Sequence, residues 1–191
     1  MKIQKEPVWP NLLFPSPVVL VTCLDEKKGG SNIITLAWVS NFSLNPPTIG
    51  LGINTGRYSY PLIEKTGEFV VNIPSKEHLH ESDFCGVTSG KKMDKFSATK
   101  FTTVPAVKIK TPLIKECPVN FECKLSQIID SGSHGIFIGE ILLMHFDEEI
   151  QTAKGNIDYS KADPILYFNG DYWSIGEEIG KHGISKGKPR E

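Results

Sequence analysis

Residues Ser31 to Tyr60, SNIITLAWVSNFSLNPPTIGLGINTGRYSY, decide how this chain is read. Small hydroxyl and amide residues (Ser31, Asn32, Thr35, Ser40, Asn41, Ser43) are interleaved with apolar ones, which predicts a strand over Ser31–Phe42. Pro46-Pro47 ends the loop after it, because proline cannot donate to a central ladder. Thr48–Asn54 is the next strand, with Gly50 and Gly52 where something bulky approaches the backbone. The segment closes in a Thr-Gly-Arg-Tyr-Ser loop. Arg57 there is one of two arginines among 21 basic residues, the other being Arg190. A lone body arginine among Gly56, Tyr58 and Ser59 suits a fixed, forked donor to an anion such as phosphate.

The pattern outside this segment is also strand-like. Pro17–Leu24 is a β-branched run, and Gly29-Gly30 reads as a hairpin turn into the Ser31 strand. Glu68–Ile73 is a strand stopped by Pro74. Val119, Phe121, Cys123 and Leu125 alternate with Asn120, Glu122, Lys124 and Ser126. Gly135–Phe146 follows through an Asp130-Ser131-Gly132 turn, and a last hairpin runs through Ile165–Phe168 and Tyr172–Ile175 around Asn169-Gly170. Short helices are expected at Ser59–Lys65 and, behind a serine cap, at Ser75–Phe84. Many strands, few helices and short connections predict a mainly β antiparallel barrel; a parallel nucleotide-binding sheet needs a helix between successive strands.

At 191 residues the chain fits one domain, residues 1–179, with a polar, glycine-rich tail over 180–191 that is expected to be flexible. A net charge of −1 gives no electrostatic case for nucleic acid or a membrane surface. No apolar run approaches the roughly 20 residues of a membrane helix, and MKIQKEPVWPN lacks a signal-peptide core, so a cytoplasmic location is expected. Cys23, Cys85, Cys117 and Cys123 have no disulfide-framework spacing and are expected to be reduced.

Several motifs have plainer readings. Cys85–Lys92 fails as a phosphate loop of the Walker type, since three residues rather than four separate Gly86 from Gly90 and Lys92 replaces the Ser or Thr. His78 and His80 stand two apart, so on a helix they diverge, and no CxxC pair completes a zinc set; no metal is expected. Cys85 with His134 lacks a third orienting group for nucleophilic work. Trp9, Trp38 and Trp173 read as core or as surfaces for a flat ring.

Taken in order, the motifs carry a resemblance. Phe14-Pro15-x-Pro-Val-Val-Leu-Val-Thr22, Ser31-Asn32-Ile-Ile-Thr35-x-Ala37-Trp38-x-Ser40, Ser43-x-x-Pro46-Pro47 and Gly56-Arg57-Tyr58-Ser59-Tyr60 come first. Glu68-Phe69-Val-Val-Asn72-Ile-Pro74, Cys85-Gly86-x-x-Ser89-Gly90, Asp94-Lys95-Phe96 and His134 before Phe137-Ile-Gly139-Glu140 complete the set. This order resembles the flavin reductase-like family of FMN-binding split-barrel proteins, near its flavoredoxin branch, over about Phe14 to Met144.

The resemblance implies an antiparallel, Greek-key-like split barrel that forms a homodimer and binds FMN non-covalently at the subunit interface. Arg57, Ser59, Ser89 and Lys95 are then the candidates for the phosphate, with Tyr58 and Gly90 beside them. Thr35, Ala37, Trp38, Val39 and Ser40 are candidates for the isoalloxazine edge, and Asn54 and Thr55 for the ribityl chain or the ring's polar edge. His134 is the candidate for orienting flavin and nicotinamide. No Rossmann fingerprint is present, so NAD(P)H is expected as a transient electron donor over the flavin face. The implied activity is an NAD(P)H-dependent flavin reductase. The alternative is an electron-transfer carrier reduced by another protein, and a redox protein or monooxygenase is the expected partner class.

Overall fold

The computed structural model describes residues 2–4, 6, 13 and 15–186. Trp9, Phe14 of the first motif, Arg190 and the last five residues of the expected tail lie outside them. Strands β1 (Ser16–Pro17), β2 (Val19–Asp25), β3 (Gly30–Leu36), β4 (Val39–Leu44) and β5 (Pro47–Asn54) lead into helix α1 (Ser59–Thr66). Then come β6 (Glu68–Ile73), a 3-10 turn at Lys76–His78, α2 (Leu79–Val87), α3 (Lys95–Thr99), β7 (Thr103–Val104) and β8 (Leu113–Ile114). The long hairpin β9 (Val119–Ser131) and β10 (His134–Phe146) precedes α4 (Tyr159–Ala162) and the small hairpin β11 (Leu166–Phe168) and β12 (Asp171–Trp173).

Seven of these strands form one antiparallel sheet in the order β3-β2-β6-β9-β10-β5-β4. Its two edge strands are consecutive in the chain, so the sheet curls to bring their joined ends together at residues 37–38, while among the described residues no ladder joins β3 to β4. The expected single strand over Ser31–Phe42 is therefore two. Leu36 is the last residue paired with β2, opposite Val19, and Val39 is the first paired with β5, opposite Leu51. The chain changes neighbours at Ala37-Trp38, where Trp38 O accepts from Gly52 N at 2.8 Å. Period-two patterning continues through the corner because both halves are strand, which is why the sequence hides the break. The close approach expected at the β5 glycines is filled from within. A Cβ on Gly50 would lie 2.2 Å from the Phe42 ring, and one on Gly52 would lie 3.0 Å from Trp38 Cβ.

Inside the curl, Val19, Val21, Leu51, Ile53, Phe69, Val71, Cys123 and Phe137 form the core with Leu62 and Ile63 of α1. Burying each large side chain contributes about 1.5–3 kcal/mol, which makes this cluster the main support of the fold. Helix α1 ends at Gly67, whose φ of 69° lets its amide reach Ile63 O at 2.9 Å. Ser75 does not cap α2 as expected. It precedes the 3-10 turn without a side-chain bond to a backbone amide, and its Oγ lies 3.4 Å from His78 Nδ1.

The alternation over Val119–Ser126 is also not a simple inside–outside one. Asn120 and Glu122 are buried, because residues 105–114 lie across their face of the sheet. On the far side, β1, β11 and β12 make a separate small sheet, with Ser16 opposite Tyr167. Asn169 and Gly170, both at positive φ, form its two-residue turn. Beyond Trp173 the described chain holds turns but no strand or helix. No helix among the described residues is long and apolar enough to cross a membrane.

Candidate functional site

The turn between β5 and α1 is built around Asn54. Its Oδ1 accepts from Gly56 N at 3.0 Å and its carbonyl accepts from Arg57 N at 3.0 Å, so the chain reverses tightly and presents Arg57. Arg57 Nη1 donates to Gly86 O at 3.4 Å, at the C-terminal end of α2. Ser59, the first residue of α1, is buried, and its Oγ accepts from Asn32 Nδ2 of β3 at 2.7 Å. Gly90 is pressed onto the same asparagine: a Cβ there would lie 1.9 Å from Asn32 Oδ1.

These residues line a small pocket of about 130 Å³, with Cys85, Ser89 and Lys95 completing it. A helix C-terminus ordinarily repels anions, because its last carbonyls lack intrahelical partners. Here cations cover them. Lys95 Nζ donates to Cys85 O at 2.6 Å and to Ile33 O at 2.7 Å, and Arg57 covers Gly86 O. Lys28 Nζ does the same for the following loop, donating to Gly90 O at 2.6 Å and Lys91 O at 3.3 Å. The pocket is thereby made cationic with its carbonyl dipoles neutralised.

Lys95 is 5% exposed, and two of its three protons are committed to carbonyls. Burial, with a smaller push from Arg57, lowers its pKa to about 8. Its first role is thus to join α3, α2 and β3, rather than to serve as the free point charge expected from sequence. Ser59 is buried, with its Oγ accepting from Asn32, whereas Arg57 and Ser89 are exposed donors. Tyr58 lines the pocket but turns its hydroxyl to Asp25 Oδ2, at 2.7 Å.

Arg57 and Gly86 also line a neighbouring cleft of about 630 Å³. Thr35, Ala37 and Trp38 of the strand corner and Asn54 line it, with His134 opposite Asn54 across the β5–β10 ladder. Thr35 is fixed by donation from its Oγ1 to Ser82 O of α2 at 2.5 Å. The Trp38 and His134 rings meet at 4.4 Å between centroids, tilted by 37°. Burial and then Arg57 hold the His134 pKa below the ordinary imidazole value of 6.5, so the ring is neutral at pH 7. Its Nδ1 is 2.8 Å from Ser133 Oγ.

Three expected residues stand elsewhere. Val39 and Ser40 line an outer groove of about 680 Å³ on the far side of the Trp38–His134 pair. They lie past the corner, where the strand has crossed to β5. Thr55 lines neither pocket nor cleft; its amide donates to Ser133 O at 3.1 Å and ties β5 to the β9–β10 hairpin. Cys85 and His134 face different spaces, and burial pushes the Cys85 thiol up to about 11.

The structure also adds residues. Asn32 organises the small pocket, Lys28 braces its loop, and Asp83, Tyr167 and Tyr172 close the far wall of the cleft. Asn32 carried a signal, being an amide residue among the small polar residues interleaved along its strand. The other four depend on contacts across 60 to 90 residues, such as Lys28 with Gly90 and Tyr172 with Asp83, and sequence spacing holds no trace of those.

Comparison with known proteins agrees with this geometry. The family model described as flavin reductase like domain matches residues 12–176. An uncharacterized protein of Archaeoglobus fulgidus is 35% identical over 147 residues, 77% of this chain and 81% of that one. Among solved structures, flavoredoxin of Desulfovibrio vulgaris (Miyazaki F) superposes with a TM-score of 0.87 at 31% identity, covering 97% of this chain and 100% of that one. Flavoredoxin from Methanosarcina acetivorans gives 0.86 at 33%, covering 97% and 98%. The family match over residues 12–176 and the relative at 35% identity, carried on a split barrel that turns its corner at Ala37-Trp38, place this chain in the flavin reductase-like domain family.

Proposed function

We propose that the protein binds FMN non-covalently and catalyses its reduction by NAD(P)H. The observation that carries this reading is that Arg57 and Gly86 line both a compact cationic pocket and a broad neighbouring cleft. One ligand with a small anion at one end and a planar body at the other fits that shape. Arg57 and Ser89 are the phosphate donors, Lys28 holds the loop that carries Ser89, and Lys95 fixes α2 and α3 against β3. Thr35, Ala37 and Trp38 edge the ring, and Asn54 meets its polar side or the ribityl chain.

FMN, when bound, supplies the redox chemistry, accepting from a nicotinamide or passing electrons onward. The chain orients and shields. Trp38 and His134 form one wall of the cleft, and the neutral imidazole can accept or donate a hydrogen bond at pH 7 without adding charge. The cleft has ample room for a second flat ring, so a transient donor needs no separate nucleotide fold.

Anaerobic mixing of FMN-loaded protein with NADH or NADPH should bleach the flavin absorbance near 450 nm (roughly where oxidised flavins absorb). No bleaching with either donor overturns the activity. The flavoredoxin names of the two structural relatives favour a second reading, an electron carrier reduced by another protein. Yellow colour retained through gel filtration without nicotinamide turnover would select it.

We also infer that a second copy of this chain completes the site. The outer groove beside Trp38 and His134 is lined by Leu13, Val39, Phe42 and Ile136, and Phe42 and Leu44 stand 59% and 93% exposed on edge strand β4. An apolar sheet edge of this kind calls for a covering surface.

A further inference from the structure

Lys95 stands in the small pocket without a counter-ion. Its ammonium is buried, bridges Cys85 O of α2 and Ile33 O of β3, and lines the same space as Arg57, Ser89 and Gly90. Among the described residues lining that space there is no carboxylate. Asp94, next to Lys95 at the head of α3, turns its Oδ1 to Ser97 N at 3.2 Å. Three titratable groups act on the ammonium. Arg57, from the turn before α1, opposes its charge, and the Cys85 thiol of α2 and the Cys23 thiol of β2 favour it only as thiolates. Burial holds those two thiols up at about 11 and about 12, so both are neutral where Lys95 itself titrates. Burial above all, with Arg57, brings Lys95 down to about 8.

The hydrogens on Nζ determine what deprotonation does. An ammonium has three, and two go to the carbonyls of Cys85 and Ile33. A neutral amine keeps two hydrogens and gains a lone pair. Both carbonyl bonds therefore survive loss of the proton, and α2, α3 and β3 stay joined. What disappears is the positive charge, and the third position turns from donor to acceptor. For a phosphate in the pocket an attraction becomes a repulsion, in a buried setting where charges act strongly.

We propose that Lys95 is a proton-linked switch on anion affinity: charged, it helps the pocket hold a phosphate dianion, and neutral, it leaves the same pocket built but weakly attractive. The inference rests on the flavin reading for the identity of the anion and deepens it by assigning what regulates the site. A bound dianion favours the ammonium, so binding raises the Lys95 pKa and takes up a proton wherever the pH lies between the free and bound values. Affinity is full below about pH 8 and falls above it. The fold responds the other way. A lysine whose folded value is lowered from 10.5 favours the native state more as pH rises, so phosphate affinity is lost without loss of structure.

The test compares FMN with riboflavin, the same ring without the phosphate, by fluorescence titration of the full chain between about pH 7 and about pH 9.5. A phosphate monoester, with its second pKa at about 6, stays dianionic over that range. Any titration of the ring itself affects both ligands alike. The ratio of FMN to riboflavin affinity should fall roughly tenfold per pH unit above about pH 8. Lys95→Met, neutral at every pH, should give a low ratio that does not change with pH. Lysine-selective carbon NMR of the unmodified chain supplies a readout that needs neither a variant nor a flavin. One Cε resonance should titrate near pH 8, and sulfate, dianionic throughout, should move that titration upward. A ratio that holds constant across the range, or a Lys95 titration that sulfate does not move, overturns the switch. Failure of both flavins to bind at pH 7 overturns the flavin reading instead, and the sulfate titration still decides the role of Lys95.

Discussion

Arg57 is the residue on which the site turns, because it lines both the pocket and the cleft and caps a carboxyl-end carbonyl of α2. Arg57→Ala should weaken FMN by about 1.5–3 kcal/mol, the range of a charge-assisted bond. Arg57→Lys should recover only part of that, since an ammonium cannot present two fixed donors. A fluorescence titration checks both, and an unchanged dissociation constant for the alanine variant would place the phosphate elsewhere. Gly90 matters through contact rather than backbone freedom. A methyl group there meets Asn32, which cannot swing aside because it is buried and bonded to Ser59. Gly90→Ala should therefore displace the Ser89 loop, costing about 1–3 kcal/mol of stability in a urea melt and lowering FMN affinity with it.

At the scale of elements, two carboxylates hold the segment between β7 and β8 against the sheet. Glu68 Oε1 accepts from the amides of Lys110 and Thr111 at 2.9 and 2.8 Å. Glu122, fully buried, accepts from Val107 N at 2.8 Å, Lys108 N at 2.6 Å and His145 Nε2 at 2.6 Å. Burial alone would raise the Glu122 pKa; the Val107 amide, His145 and the Lys108 amide outweigh it and hold the carboxyl below its ordinary value. A depressed carboxyl contributes stability that is complete above its unfolded pKa of about 4.3 and is lost as pH falls through the folded value. Glu122→Gln should thus cost about 1.5–3 kcal/mol at pH 7. The gap from the unmodified protein should narrow between pH 7 and pH 3, as the folded carboxyl begins to take up its proton. Urea midpoints at the two pH values decide it, and a gap independent of pH would remove Glu122 from the acid response.

For the whole molecule, the curled sheet leaves β4 as an uncovered edge on which Phe42 and Leu44 stand exposed beside Ser40 and Asn41. Sedimentation should give twice the 21.2 kDa of one chain. Leu44→Glu, at a position 93% exposed and so without a role in folding the single chain, should shift the mass toward one copy. A monomer at micromolar concentration in the unmodified protein would leave the outer groove to another occupant.

The strands β2, β5, β6, β9 and β10 and the turn at Asn169-Gly170 were legible because their signals are local: alternation, β-branching and turn chemistry act within a few residues. So was Arg57, by its rarity and its neighbours. The corner at Ala37-Trp38 was not legible, because a strand that changes partners keeps its period. The burial of Asn120 and Glu122 was hidden for a related reason, since what covers them comes from residues 105–114. The role of Lys95 could be settled only by finding which carbonyls its ammonium meets. Sequence by itself determined a β-rich chain and, through motif order, the family. Tertiary structure alone decided that the sheet turns its corner at Ala37-Trp38, that Lys95 and Lys28 cover carbonyls at a helix's carboxyl end and in the loop after it, and that Asp83 and Tyr172 line one cleft with Trp38. Those outcomes depend on contacts between residues far apart in the chain, which only the folded backbone brings within bonding distance.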